Sequence, residues 1–347
     1  MQPWDSARHM PSEFSFINQI RQRATKGAAN LILGIGDDAA IWREHEGRER
    51  LITTDLLIED IHFKLEYTPL HCLGHKALAV SLSDIAAMGG KPEFALLSLG
   101  LPKSQLANLN WQEFFDGYFS LAEKYNVTLI GGDTSASPDK VVIDSIVIGS
   151  CASGKAIRRS GAQVGDAIYV TGSLGASAAG LKLLQRGEQL DEAGSAIKTE
   201  AIRAHLLPEP RINFGAMLGT LGLANAMMDV SDGLAQDLTH ICEESAVEAL
   251  LDYGAVPIAQ GATQITATAD EAFSLAIGGG EDYELLFTTG VQVEAELKKC
   301  AAQYGVELSR IGEIIAHAAT PESPRIFLRR NHRVALLPRT GYDHFRI

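Results

Sequence analysis

The feature that most limits the folds open to this chain is the alternation of its apolar segments. Strand-patterned and helix-patterned runs take turns, and the strands repeatedly stop on Gly and Asp. In the first half, Arg50–Asp55 reads as a short strand and His75–Gly89 as a helix rich in small residues. Phe94–Pro102 reads as a strand, Trp111–Tyr125 as a helix, and "VTLIGGD" and "KVVIDSIVIGS" as two more strands. The second half repeats the mixture. "DAIYVTG" is strand-like, "LGASAAGLKLLQRG" is a helix ended by Gly187, and "NAMMDVSDGLAQDLTHICEES" is a strand, turn and helix. "YELLFTTG", a helix from about Val293 to Tyr304, and a pair of strands near Phe327 and Val334 follow. Such a mixture in both halves implies an α/β protein of the α+β type with two mixed domains. At 347 residues the chain exceeds one ordinary core. The apolar pattern lapses at Cys151–Gly161, so the expected division is residues 1–152 and 153–347.

Several function classes fall away on composition. No apolar run approaches the ~18 residues a membrane span needs, and no membrane partner is expected. "MQPWDSARHMPSEFSF" has neither the basic start nor the apolar stretch of a signal peptide, so a cytoplasmic location is expected. Cys72, Cys151, Cys242 and Cys300 lie 58 to 91 residues apart, which forms no C-x-x-C motif and suits thiols in a reducing compartment. The formal net charge of −13 argues against nucleic-acid partners. It leaves room for a small phosphate ligand, because bound cations reverse a local field.

Two phosphate-binding patterns are present and both fail on context. Gly34, Gly36 and Ala39 spell a dinucleotide-binding turn, but the following "AAIWREHEGRERLITTD" reads as a hairpin rather than a helix. Asp37 and Asp38 would also put negative charge where a pyrophosphate must lie. "GSCASGKA" nearly spells a P-loop, yet Ala156 stands where a magnesium-binding hydroxyl belongs.

What remains is a set of carboxylates, most of them beside Gly, Ser or Thr at the ends of apolar strands. They are Asp37, Asp38, Asp55, Asp84, Asp133, Asp229, Asp232, Glu281 and Asp282. Turns and helix caps use single aspartates routinely, but several here come in pairs. Oxygen donors without a His or Cys cluster suit magnesium or calcium rather than zinc. Magnesium typically bridges a few carboxylates to substrate phosphates, so the set points to a magnesium–nucleotide site.

The motifs "GIGDDAA", "TTDLLIEDIHF", "SLSDIAAMGGKP", "GGDT", "RRSGAQVGD", "HLLPEPR", "MDVSDGL", "GGGEDYELLF" and "GYDHF" occur in one order. Together they resemble the thiamine-monophosphate kinase family, within the superfamily of aminoimidazole ribonucleotide synthetase and selenophosphate synthetase. The resemblance runs from about Ser12 to Phe345. It implies ATP- and magnesium-dependent phosphorylation of thiamine monophosphate, several Mg2+ ions, and a homodimer joined through the N-terminal domains. By motif, it implies metal contacts at Asp38, Thr53, Thr54, Asp55, Asp84, Asp133, Asp229 and Asp232. It implies nucleotide contacts at Phe115, Gly132, Asp133, Arg159 and Ser231, and acceptor contacts at His62, Glu281 and Tyr342. No general base is implied, and Asp55, Asp84 and Asp133 would assist catalysis through metal. Asp60, Ser81 and Phe115 depart from the usual family residues. A non-catalytic magnesium–nucleotide sensor is the rival of another class, and the intact acidic set argues against it.

Overall fold

Along Arg48–Ile58, Glu49, Leu51, Thr53 and Leu57 are buried, whereas Thr54 and Leu56 are exposed. That period of two marks a strand in a sheet covered mainly on one face. The computed structural model describes residues 31–44, 47–191, 194–317 and 325–342. The opening stretch read for a signal peptide and the last three residues of "GYDHF" lie outside them.

In chain order the first half contains β1 (Leu31–Leu33), β2 (Ala40–Arg43), β3 (Arg48–Ile58), α1 (Leu70–Ala87), β4 (Lys91–Pro102), α2 (Lys103–Asn108), α3 (Trp111–Tyr125), β5 (Thr128–Ser137) and β6 (Val142–Ala152). The second half contains β7 (Ala167–Thr171), α4 (Ala176–Gln185), α5 (Ala196–Leu206), α6 (Ile212–Leu221), β8 (Ala226–Asp229), α7 (Leu234–Ser245) and β9 (Glu248–Asp252). It continues with α8 (Gln260–Ile265), α9 (Ala269–Gly278), β10 (Leu285–Thr289), α10 (Glu294–Tyr304), β11 (Leu308–Ile315), β12 (Ile326–Arg330) and β13 (Arg333–Leu336).

These strands form a six-stranded sheet, order β1-β2-β3-β6-β4-β5, and a seven-stranded sheet, order β13-β12-β9-β11-β7-β10-β8. Each is mixed, with β4–β5 and β9–β12 the parallel pairs. The hairpin expected after Ala39 is present as β2 against β3, from Ala40↔Ile52 to Arg43↔Glu49. No helix follows the Gly34–Ala39 turn, and "GSCASGKA" ends β6 and leads to strand β7, which removes both phosphate-loop readings.

The central element is α1. It is buried on almost every side, as a helix in the middle of a core must be. It starts at Leu70, not His75, because Pro69 takes an extended conformation and Leu70 and Leu73 already join the core. Glycines let its neighbours come to backbone contact. A Cβ on Gly74 would lie 1.8 Å from the Phe114 carbonyl oxygen, and one on Gly117 would lie 1.8 Å from that of His71. Near its other end, a Cβ on Gly215 of α6 would lie 2.2 Å from the Ala86 carbonyl. The same helix therefore packs on the first sheet, on α3, and on a helix of the second half.

Candidate active site at the junction of the two halves

Three acids far apart in sequence converge on α1. Asp38 sits in the β1–β2 turn, Asp84 on α1, and Asp229 ends β8, with one oxygen of each within 4.8 Å of the others. Asp229 emerges from a fully buried strand. Ser83 Oγ donates to Asp229, and Thr53 Oγ1 donates to Asp84. The Arg159 guanidinium donates to Asp38 Oδ1 through Nε at 3.1 Å and through Nη2, and its backbone N–H donates to Asp37 at 3.0 Å. Asp38 Oδ2 is buried and has no hydrogen-bond partner. Nearby, Asp55 is 2.7 Å from the Ser81 hydroxyl that donates to it, so the departure at Ser81 still serves this network.

The cluster carries more negative charge than its surroundings neutralise. Burial, then repulsion from Asp38, pushes Asp37 up to about 7 and Asp229 up to about 8. Burial, reinforced by Asp144 and Asp38, lifts Asp55 to about 6. Asp84 rises through burial and repulsion from Asp55 and Asp229, and Asp38 rises through burial despite Arg159. Such a group of oxygen donors, with one acceptor atom unpartnered, is suited to a hard divalent cation.

Other expected residues are placed differently. Thr54 faces away from Thr53 on β3 and donates to Asp144 at 2.5 Å. Asp133 and Gly132 lie on exposed β5, three strand intervals from β3 in the order β3-β6-β4-β5. At about 4.8 Å per interval that is roughly 14 Å, so within one chain Asp133 does not share an ion with Asp55. Gly132 is required by packing, since its φ is 152° and a Cβ would lie 1.8 Å from the Leu97 carbonyl. Phe115 is half-buried and stacks on Phe119, centroids 6.3 Å apart. His62 accepts the Ile58 N–H on Nδ1 at 3.0 Å, which fixes its ring beside the end of β3.

Ser231 and Asp232 form the β8–α7 turn, which the buried Asp237 carboxylate braces by accepting the N–H groups of Asp232 and Gly233 at 3.2 and 3.0 Å. The loop before β10 docks on this turn. Glu281 N–H donates to the Ser231 carbonyl at 2.7 Å and Tyr283 N–H to that of Val230 at 2.9 Å. Glu281 (φ 64°) and Tyr283 (φ 49°) are left-handed, a strain of about 1–3 kcal/mol each that the surroundings must impose. The backbone N–H of Tyr342 donates to the Asp232 carbonyl at 3.1 Å, and its side chain is exposed. Asp282 instead caps α4, accepting from Gly175 at 2.6 Å and Ser177 at 3.0 Å.

Asp144, Asp237, Lys76 and His205 were not singled out from sequence. Two signals were available: Asp144 is an acid inside an apolar strand, and Lys76 is a cation inside an apolar helix.

Domain-family models described as "AIR synthase related protein, N-terminal domain" and "C-terminal domain" match residues 36–151 and 163–320. Fold and site thus define a protein of the AIR synthase related class. The chain is 36% identical to the thiamine-monophosphate kinase of Bacillus subtilis, with 96% of this chain and 99% of that protein covered. It is 38% identical to that of Escherichia coli, with 96% and 98% covered. The chain belongs to the thiamine-monophosphate kinase family. It is also similar to the crystal structure of thiamine-monophosphate kinase from Stenotrophomonas maltophilia, at 36% identity and TM-score 0.73, with 91% and 96% covered. The solved complex of AaThiL with AMPPCP and TMP is 29% identical, with TM-score 0.80 and 96% and 97% covered.

Proposed function

We propose that this site transfers the γ-phosphoryl group of ATP directly to the phosphate of thiamine monophosphate, with magnesium held on Asp38, Asp84 and Asp229. The observation that carries the reading is the convergence of those three carboxylates around the unpartnered Asp38 oxygen. Thr53 and Asp55 complete the inner wall. When bound, magnesium offsets the charge of the two phosphates and of the transition state. The difficulty it answers is repulsion, about 4 kcal/mol for each pair of like unit charges 4 Å apart at an effective dielectric near 20.

The residues themselves bind and orient. Arg159 is already steered by Asp37 and Asp38, and offers a planar cation to phosphate oxygens. Ser231 serves the nucleotide in this reading, while His62, Glu281 and Tyr342 serve the acceptor. The acceptor phosphate, with a second pKa near ~6 if it behaves as a phosphoserine, is mostly dianionic at neutral pH. One of its oxygens forms the new bond to the γ-phosphorus as the bond to the β–γ bridging oxygen breaks, and ADP leaves. No side chain has to remove a proton.

A homodimer through the outer face of the first sheet accords with exposed apolar side chains there, Leu56 (50% exposed) and Ile130 (55%) among them. Thr54, Asp133 and Asp144 also lie on that side, where a second copy would cover them. The described residues contain no helix long and apolar enough to cross a membrane; a cytoplasmic setting accords with four free cysteines. The test is ADP release from Mg-ATP with and without thiamine monophosphate. Acceptor-dependent release with stoichiometric thiamine diphosphate is expected; release indifferent to the acceptor would defeat the reading.

A further inference from the structure

Lys76 is 1% exposed, on the central helix α1, inside the core. Burying an ammonium is unfavourable unless a partner compensates it. Its partner is Glu281, with Nζ 2.9 Å from Oε1. The other oxygen, Oε2, is 3.1 Å from His205 Nδ1, and that nitrogen also lies 3.0 Å from Ser177 Oγ. Glu281 is thus gripped from α1 on one side and α5 on the other, while its side chain keeps 24% exposure. Its backbone is left-handed, bonded to the Ser231 carbonyl two residues beyond Asp229. A non-glycine residue held this way at the edge of the acid cluster is over-determined by its surroundings, and such strain gathers at functional positions.

We propose that Lys76 is a positioning residue for acceptor binding: from within α1 it fixes the Glu281 carboxylate at the edge of the site and thereby sets the affinity for thiamine monophosphate without touching it. This rests on the reading of Glu281 as an acceptor contact. It also ties the acceptor side to the metal side, because Lys76 and Asp84 belong to one helix. The Lys76 charge agrees with the geometry: burial alone would raise the Glu281 carboxyl, and the ammonium, with the His205 contact beside it, outweighs that, holding it well below the usual carboxylate range.

The experiment compares steady-state kinetics of the full chain and of Lys76→Met, Glu281→Gln and the double variant. Expected is a KM for thiamine monophosphate raised at least tenfold in Lys76→Met, with the KM for ATP within twofold. The double variant should match Glu281→Gln within twofold, because Lys76 has nothing left to position. It removes both charges, so it leaves no uncompensated ion in the core and serves even where Lys76→Met does not fold. Equal changes in both KM values, a double variant more than fivefold worse than Glu281→Gln, or a Glu281→Gln variant with an unchanged acceptor KM would each overturn the proposal. If wild-type ADP release ignores thiamine monophosphate, the functional reading itself fails. The crystal position of Glu281 in Lys76→Met then decides the positioning role, and an unmoved carboxylate overturns it.

Discussion

Asp84 receives a hydrogen bond from Thr53 and repulsion from Asp55 and Asp229. Replacing it with Asn keeps the shape and removes a charge that destabilises the metal-free protein. Asp84→Asn is therefore expected to lose about 100-fold or more in turnover, while its melting temperature in EDTA equals or exceeds that of the wild type. Near-normal turnover, or a large drop in melting temperature, would contradict the metal role. At this scale the sequence points to acids that the fold brings together, because Asp38 in "GIGDDA", Asp84 after Ser83 and Asp229 in "MDVSDG" sit in stretches rich in turn-forming and small residues. It could not tell faces apart. Thr53 and Thr54 are neighbours, yet one bonds Asp84 and the other bonds Asp144 across the sheet. His205 and Lys76 meet Glu281 only through the packing of three separate segments.

The elements show the same division. Helix α3 was legible to the residue, since Trp111, Phe114, Tyr118 and Leu121 form one buried stripe. Helix α6 was not, because "INFGAMLGTL" carries two glycines that read as interruptions. In the fold those glycines are the contact surface: Gly215 lies against Ala86 and Gly219 against Gly89. Strand β11 was hidden likewise by Gly312, whose Cβ would lie 2.3 Å from the Leu250 carbonyl. The prediction at this scale is that Gly215→Ala, although it favours helix intrinsically, destabilises the protein by about 1–3 kcal/mol through overpacking, as measured by urea unfolding. It should also lower turnover by displacing α1. A stabilised Gly215→Ala variant would show that α1 and α6 are not held as tightly as their contacts indicate.

For the whole molecule, the acid cluster makes stability depend on pH and metal together. Asp229 and Asp37 titrate near 8 and 7 in the folded protein against an ordinary 3.8. The folded state therefore binds more protons between those values. The stability these groups contribute is fully present below 3.8 and is lost as pH rises through 7 and 8. Buried His75, His205 and His240, lowered by burial from 6.5, act in the opposite direction, but only below that value. In EDTA the melting temperature should thus fall from pH 7 to pH 8.5, and saturating magnesium should flatten that slope. A flat profile in EDTA would refute the charge excess. Association belongs to this scale too. If the proposed homodimer forms through the outer face of the first sheet, the wild type should sediment as a dimer and Leu56→Arg as a monomer; a dimeric Leu56→Arg would remove that face as the interface.

The burial of α1 between the first sheet and α6 has a practical corollary for anyone recombining relatives. A hybrid joined near residue 152 would inherit the rod from one parent and the α6 wall of its socket from the other, and a Cβ added at Gly215 would already lie 2.2 Å from the Ala86 carbonyl, which leaves little tolerance for mismatch. Exchanges that transplant α1 and α6 as a matched set should retain solubility and turnover, whereas those cut at the junction alone should yield aggregates.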